Sequence, residues 1–185
     1  MDIDMSALRG VVGVDGKRVT LRAGTRLHEI PALLAPYGLG MRNLGDIDRQ
    51  TITGATSTGT HGTGLHFGGI STQIVGAKIV TGTGDVVTLT ADDDELRAVA
   101  LGLGALGVIV ELTIECVDAF SLRAHDEPLD LDDAVGGQPF GEAGNRFGLV
   151  NFILAHKGIS SGITGAYPDQ KALAAVRSGR WRVRR

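Results

Sequence analysis

The chain has 185 residues, 43% of them hydrophobic, with 28 glycines, one cysteine and a formal net charge of −3. That length bounds it to about one domain with a substantial core, while the charge and the scarcity of aromatics argue against a nucleic-acid interface. No apolar run reaches the roughly 20 residues of a membrane span, the first five residues lack a secretory pattern, and the lone Cys116 fits a reducing, cytoplasmic setting.

In chain order, residues 18–22 (RVTLR) alternate as a strand does. Residues 27–37 read as a helix, with Thr25 as N-cap, Pro31 in or near the first turn and Gly38 as the stop. Residues 54–69 hold few apolar anchors and are expected to be loops and turns. Two strands follow, 73–81 and 85–89, joined by a hairpin turn at Gly82-Thr83-Gly84. Residues 92–101 read as a short helix with an acidic start, and 108–117 as a β-branched strand. Past about residue 134 the character changes. A loop is expected at 136–144, a strand at 147–154, a helix at 170–176 and a solvated basic tail at 180–185.

Two glycine motifs compete for attention. Gly102-Leu103-Gly104-Ala105-Leu106-Gly107 satisfies G-x-G-x-x-G. A Rossmann fingerprint must follow a strand and open a helix, so that the helix N-terminus meets the pyrophosphate. Here the order is reversed, and the segment reads as a helix-to-strand turn in which Gly107 brings backbone close to a ligand. The second motif runs from Thr51 to Gly64, TITGATSTGTHGTG. Small residues admit close approach, consecutive N–H groups form an anion nest, and hydroxyls add donors to phosphate. Composition alone leaves ligand binding and a polar surface loop equally open.

The remaining reactive side chains read quietly. His61 is a ligand-contacting or loop-bracing residue rather than a base, and His28 and His66 are surface or packing residues. His61 and His66 lack the partners of a metal site. Cys116 reads as an inert buried thiol, and Asp92-Asp93-Asp94-Glu95 as a helix start rather than a metal cluster. No catalytic residue is assigned.

The combination is more specific than its parts. Asn43-Leu44-Gly45-Asp46, then Gly54-Ala55, then Thr58-Gly59-Thr60-His61-Gly62-Thr63-Gly64, and later Gly104-Ala105-Leu106-Gly107-Val108-Ile109 resemble the FAD-binding segment of the vanillyl-alcohol oxidase superfamily, in its aldonolactone oxidase and dehydrogenase branch, with alditol oxidase nearby. The resemblance covers residues 5–123 and implies an α+β fold: a partial PCMH-type FAD-binding domain, with a mixed sheet flanked by short helices. It implies FAD as cofactor, a sugar lactone or polyol as substrate, and O2 or another electron acceptor. Asp46, Thr51, Gly54, Ala55, Thr58, Gly59, Thr60 and His61 fall where the family contacts FAD. Gly107, Val108 and Ile109 fall where backbone meets the adenine end or the ring. Gly45 falls beside the flavin, where a glycine leaves a path for O2 without deciding between oxidase and dehydrogenase. Asp46 stands where serine is frequent, and an acid near pyrophosphate must face ribose or solvent.

The same resemblance sets expectations about extent. Family members carry an earlier G-S-G-H-S-like pyrophosphate loop, whereas here Met5-Ser6-Ala7-Leu8-Arg9-Gly10 resembles the L-S-x-L-x-G segment that follows it. Residues 124–185 carry no recognised cap-domain pattern. The expectation is a truncated or frame-disrupted oxidoreductase. The alternatives are an inactive remnant or interaction domain without flavin, and a subunit complemented by a second chain.

Overall fold

A computed structural model describes residues 3–45, 47–62 and 67–121, together with the backbone of strands Asp126–Leu129, Phe152–Ala155 and Ile159–Ile163. The chain divides into two compact units, Met1–Gly62 with Gly68–Ala119, and Thr63–Phe67 with Phe120–Arg185.

The first unit is built on an antiparallel sheet. Strands β1 (Val11–Asp15), β2 (Arg18–Arg22), β4 (Ile74–Val80), β5 (Val86–Thr90) and β6 (Val108–Glu115) lie in the order β1-β2-β6-β4-β5. A short pair, β3 (Leu39–Gly40) with β7 (Val117–Asp118), stands apart from it. Every described pairing is antiparallel, so the expected mixed sheet narrows to an antiparallel one within the same α+β class. Alternation accounts for β2, where Val19 and Leu21 are fully buried and Arg18 and Arg22 are exposed. It fails on β4 and β6 unless bulges are included. Register shifts between Ile74 and Gly76, and between Lys78 and Ile79 where β6 slips from Glu111 to Ile109, each insert one residue. They allow Ile74 with Ala77, and Ile109 with Leu112, to face the same core although each pair is three residues apart.

Three helices close that core: α1 (Ile30–Leu34), α2 (Ile52–Ser57) and α3 (Glu95–Ala100). Ile30 and Leu34, Ile52 and Ala55, and Leu96 and Val99 join Leu21, Leu112 and Ile114 in one buried cluster. Each fully buried aliphatic side chain contributes about 1.5–3 kcal/mol relative to an exposed one. The opposite sheet face is polar. Thr20 and Thr113 share a hydroxyl hydrogen bond of 2.8 Å, and Lys78 pairs with Glu111 at 2.7 Å.

Several expectations are refined. The helix expected at 27–37 is a 3-10 turn (Leu27–Glu29), α1 and a second 3-10 turn (Ala35–Tyr37), ended by Gly38 at φ +65°. Thr25 does not cap it. Its buried hydroxyl donates to Arg22 O at 2.7 Å and accepts from Gly10 N at 3.0 Å, while the Glu29 carboxylate accepts from Arg26 N at 2.9 Å. The backbone N–H of Arg26 therefore holds the Glu29 carboxyl below its usual range. The 73–81 and 85–89 strands, the hairpin, the 92–101 helix and the 108–117 strand are present as β4, β5, α3 and β6. Strand β1 adds to the elements that the sequence predicts. Helix α2 replaces the expected loop at its start, because Thr51 caps it and Ile52, Ala55 and Thr56 bury one face.

In the second unit, strands β8 (Asp126–Leu129), β9 (Phe152–Ala155) and β10 (Ile159–Ile163) form an antiparallel sheet in the order β8-β10-β9. Strand β9 overlaps the expected 147–154 strand. The expected loop at 136–144, helix at 170–176 and tail at 180–185 lie outside the described residues. Among the described residues, no helix is long and apolar enough to cross a membrane.

Candidate functional site

The first glycine motif is organised by α2. Thr51, in extended conformation, accepts the Gly54 N–H on its Oγ1 at 3.1 Å, and Ile52 N donates to Thr25 O at 2.8 Å. The helix start is thereby closed by the chain itself. Ala55 points into the core, whereas Gly54 and Thr58 are exposed. At the other end Thr58 donates its hydroxyl to Gly54 O at 2.9 Å.

Hydroxyls in this motif work inward. Thr53 donates to Ala23 O (2.9 Å), Thr56 to Thr53 O (3.1 Å) and Thr60 to Gln50 Oε1 (3.1 Å). In this structure Thr53, Thr56, Thr58 and Thr60 donate their hydroxyl protons within the chain and brace the loop.

Two backbone runs, 43–45 and 60–62, lie side by side. A Cβ on Gly62 would overlap Leu44 O and stand 2.5 Å from Asn43 Oδ1. A Cβ on Gly45 would stand 3.2 Å from Thr60 Cγ2 and 3.4 Å from His61 O. Gly45, Thr60 and His61 are thus brought together. The exposed His61 ring places Nδ1 2.8 Å from Gly62 O. A carbonyl only accepts, so Nδ1 carries the proton and, in the neutral ring, Nε2 is left as an acceptor. This is the loop-bracing role, with one nitrogen still presented outward. Asp46, Thr63, Gly64 and His66 lie outside the described residues.

The second motif forms the turn from α3 into β6, as its helix-then-strand order implied. Gly107 sits at φ +140°, and a Cβ there would stand 2.5 Å from Val80 O. Only glycine suits both the angle and the contact. Val108 is half-buried opposite Val80, and Ile109 is buried in the core, so its side chain belongs to packing and only its backbone remains for a ligand. A depression lined by Ile79, Val99, Leu106, Gly107 and Ile109 measures about 10 Å³, against the roughly 300–1,000 Å³ of small-molecule pockets. The two motifs meet at Leu101, whose Cδ1 lies 3.3 Å from where a Gly59 Cβ would stand.

Sequence reasoning missed two amides. Gln50 accepts from Thr60, and the buried Gln73 binds the main chain of the 42–43 segment. The available signal was a polar residue opening an apolar strand. Cys116 is buried, and burial pushes its thiol up to about 11, in keeping with an inert thiol. Asp93 accepts from Thr90 N and Oγ1 at 2.7 and 2.9 Å, which holds its carboxyl below the usual range. Its place is a turn before α3, and no group of three metal-binding side chains occurs among the described residues.

Comparison with known proteins bears on this arrangement. Residues 2–90 match the family model described as FAD binding domain. L-gulono-1,4-lactone dehydrogenase of Mycobacterium tuberculosis (strain ATCC 25618 / H37Rv) is 39% identical over 161 residues, covering 85% of this chain and 37% of that protein. D-arabinono-1,4-lactone oxidase of Yarrowia lipolytica is 40% identical over 119 residues, covering 63% of this chain and 23% of that protein. The chain therefore spans little more than a third of the length of the mycobacterial relative. Among solved structures, a cholesterol oxidase from Brevibacterium sterolicum superposes with a TM-score of 0.78 at 19% identity, covering 90% of this chain and 35% of the other. An alkyldihydroxyacetonephosphate synthase gives 0.74 at 15% identity, covering 95% and 39%. At such identities the structural matches speak for the fold, and they agree with the sequence relatives on which fold it is. Residues 2–90 therefore carry part of an FAD-binding domain, similar in sequence to a segment of these lactone dehydrogenase and oxidase relatives.

Proposed function

We propose that this chain is the FAD-holding part of a cytoplasmic oxidoreductase that oxidises the CH–OH group of an aldonolactone or related polyol and passes the electrons to O2 or another acceptor. The observation that carries the reading is the 39–40% identity to proteins named for L-gulono-1,4-lactone and D-arabinono-1,4-lactone. One of these is a dehydrogenase and the other an oxidase, so the acceptor is left at the level of class.

FAD, when bound, supplies the hydride acceptor. The fit of this chain to it is supported by the exposure of Gly54, Thr58 and His61 and by the close approach of Gly45 to Thr60 and His61. In this reading Thr51, Gly54, Thr58, Gly59, Thr60 and His61 form one contact surface, with Gly45 and Asp46 beside it, and the fully buried Ala55 supports it from the core. Backbone at Gly107, Val108 and Ile109 forms the second. Braced through Nδ1, His61 orients Nε2 outward as an acceptor. Residues 5–123 are taken as the FAD-binding part. Residues 1–123 make up about two thirds of the chain, so an alignment covering 85% of it extends into the following segment. We read residues 124–185 accordingly as continuing toward the relatives' remaining portion.

Reconstitution with FAD followed by desalting tests the cofactor reading: a retained flavin absorbance band is expected, and its absence overturns it. Anaerobic addition of L-gulono- or D-arabinono-1,4-lactone to the flavin-loaded protein tests the substrate class. Bleaching of the band is expected; an unbleached band with both lactones and with alditols counts against that class.

A further inference from the structure

We infer that Gln73 is a positioning residue that fixes the spacing between the 43–45 and 60–62 backbone runs, and so shapes the surface assigned above to FAD; the inference rests on that assignment only for its functional consequence. Gln73 is 5% exposed and lies where the 3-10 turn Ile70–Gln73 enters β4. Its amide oxygen accepts from Arg42 N at 3.1 Å, and its amide nitrogen donates to Asn43 O at 2.9 Å. A primary amide carries the same acceptor and donor as a peptide group, so Gln73 stands in for the strand partner that this irregular segment lacks.

The connection continues through Asn43, itself 8% exposed. Its Oδ1 lies against Gly62, at the place a Cβ would occupy, and its Nδ2 reaches toward Gly68 O at 3.5 Å. On the far side Thr60 N donates to Ala55 O and Ile70 N to Thr60 O, at 2.9 and 3.1 Å. The order of contacts is therefore Gln73, the 42–43 main chain, the Asn43 side chain, Gly62. Both side-chain hydrogen bonds described for Gln73 go to the 42–43 main chain and neither to the 54–62 loop, so its polar influence on that loop runs through Asn43. Leaving the part-buried Arg42 N–H and the buried Asn43 carbonyl unpaired should free the 42–45 run and widen its spacing to Gly62.

The test compares the wild-type chain with Gln73→Met, which keeps length and removes both hydrogen bonds, and Gln73→Glu. Amide hydrogen exchange is followed at Arg42, Thr60 and Ile70, with the β4–β6 ladder as internal control, and FAD affinity by fluorescence quenching. Gln73→Met is expected to speed exchange at the three positions by roughly tenfold or more and to weaken FAD by a similar factor, with the ladder unchanged. Gln73→Glu is expected to match the wild type where its carboxyl is protonated, which restores a donor and an acceptor, and to match Gln73→Met where it is ionised. Acceleration confined to Arg42 overturns the inference, as does uniform acceleration that includes the ladder. If the three amides loosen but the wild type binds no FAD, the positioning role stands and the cofactor reading falls.

Discussion

The sheet and the glycine–threonine loop belong to the same unit and are stabilised by opposite means. In the sheet, Leu21, Leu112 and Ile114 are fully buried side chains packed into one cluster. Around the 43–45 and 60–62 runs the contacts are made by main chain, by hydroxyls turned inward and by the absence of side chains at Gly45 and Gly62, while only the buried face of α2 joins the apolar cluster. Apolar packing is non-directional and tolerates adjustment. A backbone-on-backbone contact has no such latitude, because one methyl group fills the gap. The difference suits a scaffold that carries a ligand surface: the part that presents main chain must be narrow in its requirements, and the part that supports it needs only volume and pattern.

The largest effect should come from the scaffold. Leu112→Ala removes a fully buried side chain at the sheet centre and is expected to cost about 2–5 kcal/mol, seen as a lower denaturant midpoint for the whole unit. Gly62→Ala probes the other regime. Its new methyl meets Leu44 O and Asn43 Oδ1, at a cost of about 1–3 kcal/mol, and should depress FAD retention far more than thermal stability. Equal losses of stability and cofactor in both variants would erase the distinction between the two regions. A gentler probe of the scaffold is pH. The Cys116 thiol is raised from 9.0 to about 11 by burial, so the neutral form is favoured in the folded state. Its contribution is complete below about pH 9 and is lost as pH rises through about 11, reaching about 1 kcal/mol near pH 10. Urea midpoints at pH 8 and 10 should show this slope in the wild type and a reduced slope in Cys116→Ala.

Legibility in the sequence followed the same division. Strands β2, β4, β5 and β6 could be read because their burial is written as alternation and β-branching, and the turn at Gly102–Gly107 because a helix precedes it and a strand follows. Bulges were hidden, since an inserted residue looks like ordinary sequence until the partner strand is known. The β1 strand was hidden because four of its five residues are exposed. In the loop, the identity of the motif was legible through glycine spacing and resemblance, but its internal wiring was not. Whether Thr58 or Thr60 points its hydroxyl at a ligand or at Gly54 O and Gln50 depends on carbonyls brought in by the fold. Gln73 reads in the sequence as part of an apolar strand because its partners lie about thirty residues away.

Thr51 marks the junction of the two regimes, and substitution there should produce the smallest effect. It opens α2, whose Ile52 and Ala55 belong to the core while Gly54 and Thr58 face outward. Thr51→Ala removes the acceptor for Gly54 N and should cost about 0.5–1 kcal/mol, as expected for a lost N-cap. Thr51→Ser keeps the acceptor and should restore that stability. The cofactor separates the two roles this residue can have. If Thr51 only caps α2, FAD affinity follows stability in both variants. If its hydroxyl proton, which the cap bond leaves unused, is donated to FAD, Thr51→Val and Thr51→Ala will weaken FAD beyond their stability loss while Thr51→Ser does not. Affinity measured beside the unfolding midpoint for these three variants therefore tells whether the helix cap also belongs to the cofactor surface, where both regimes share one side chain.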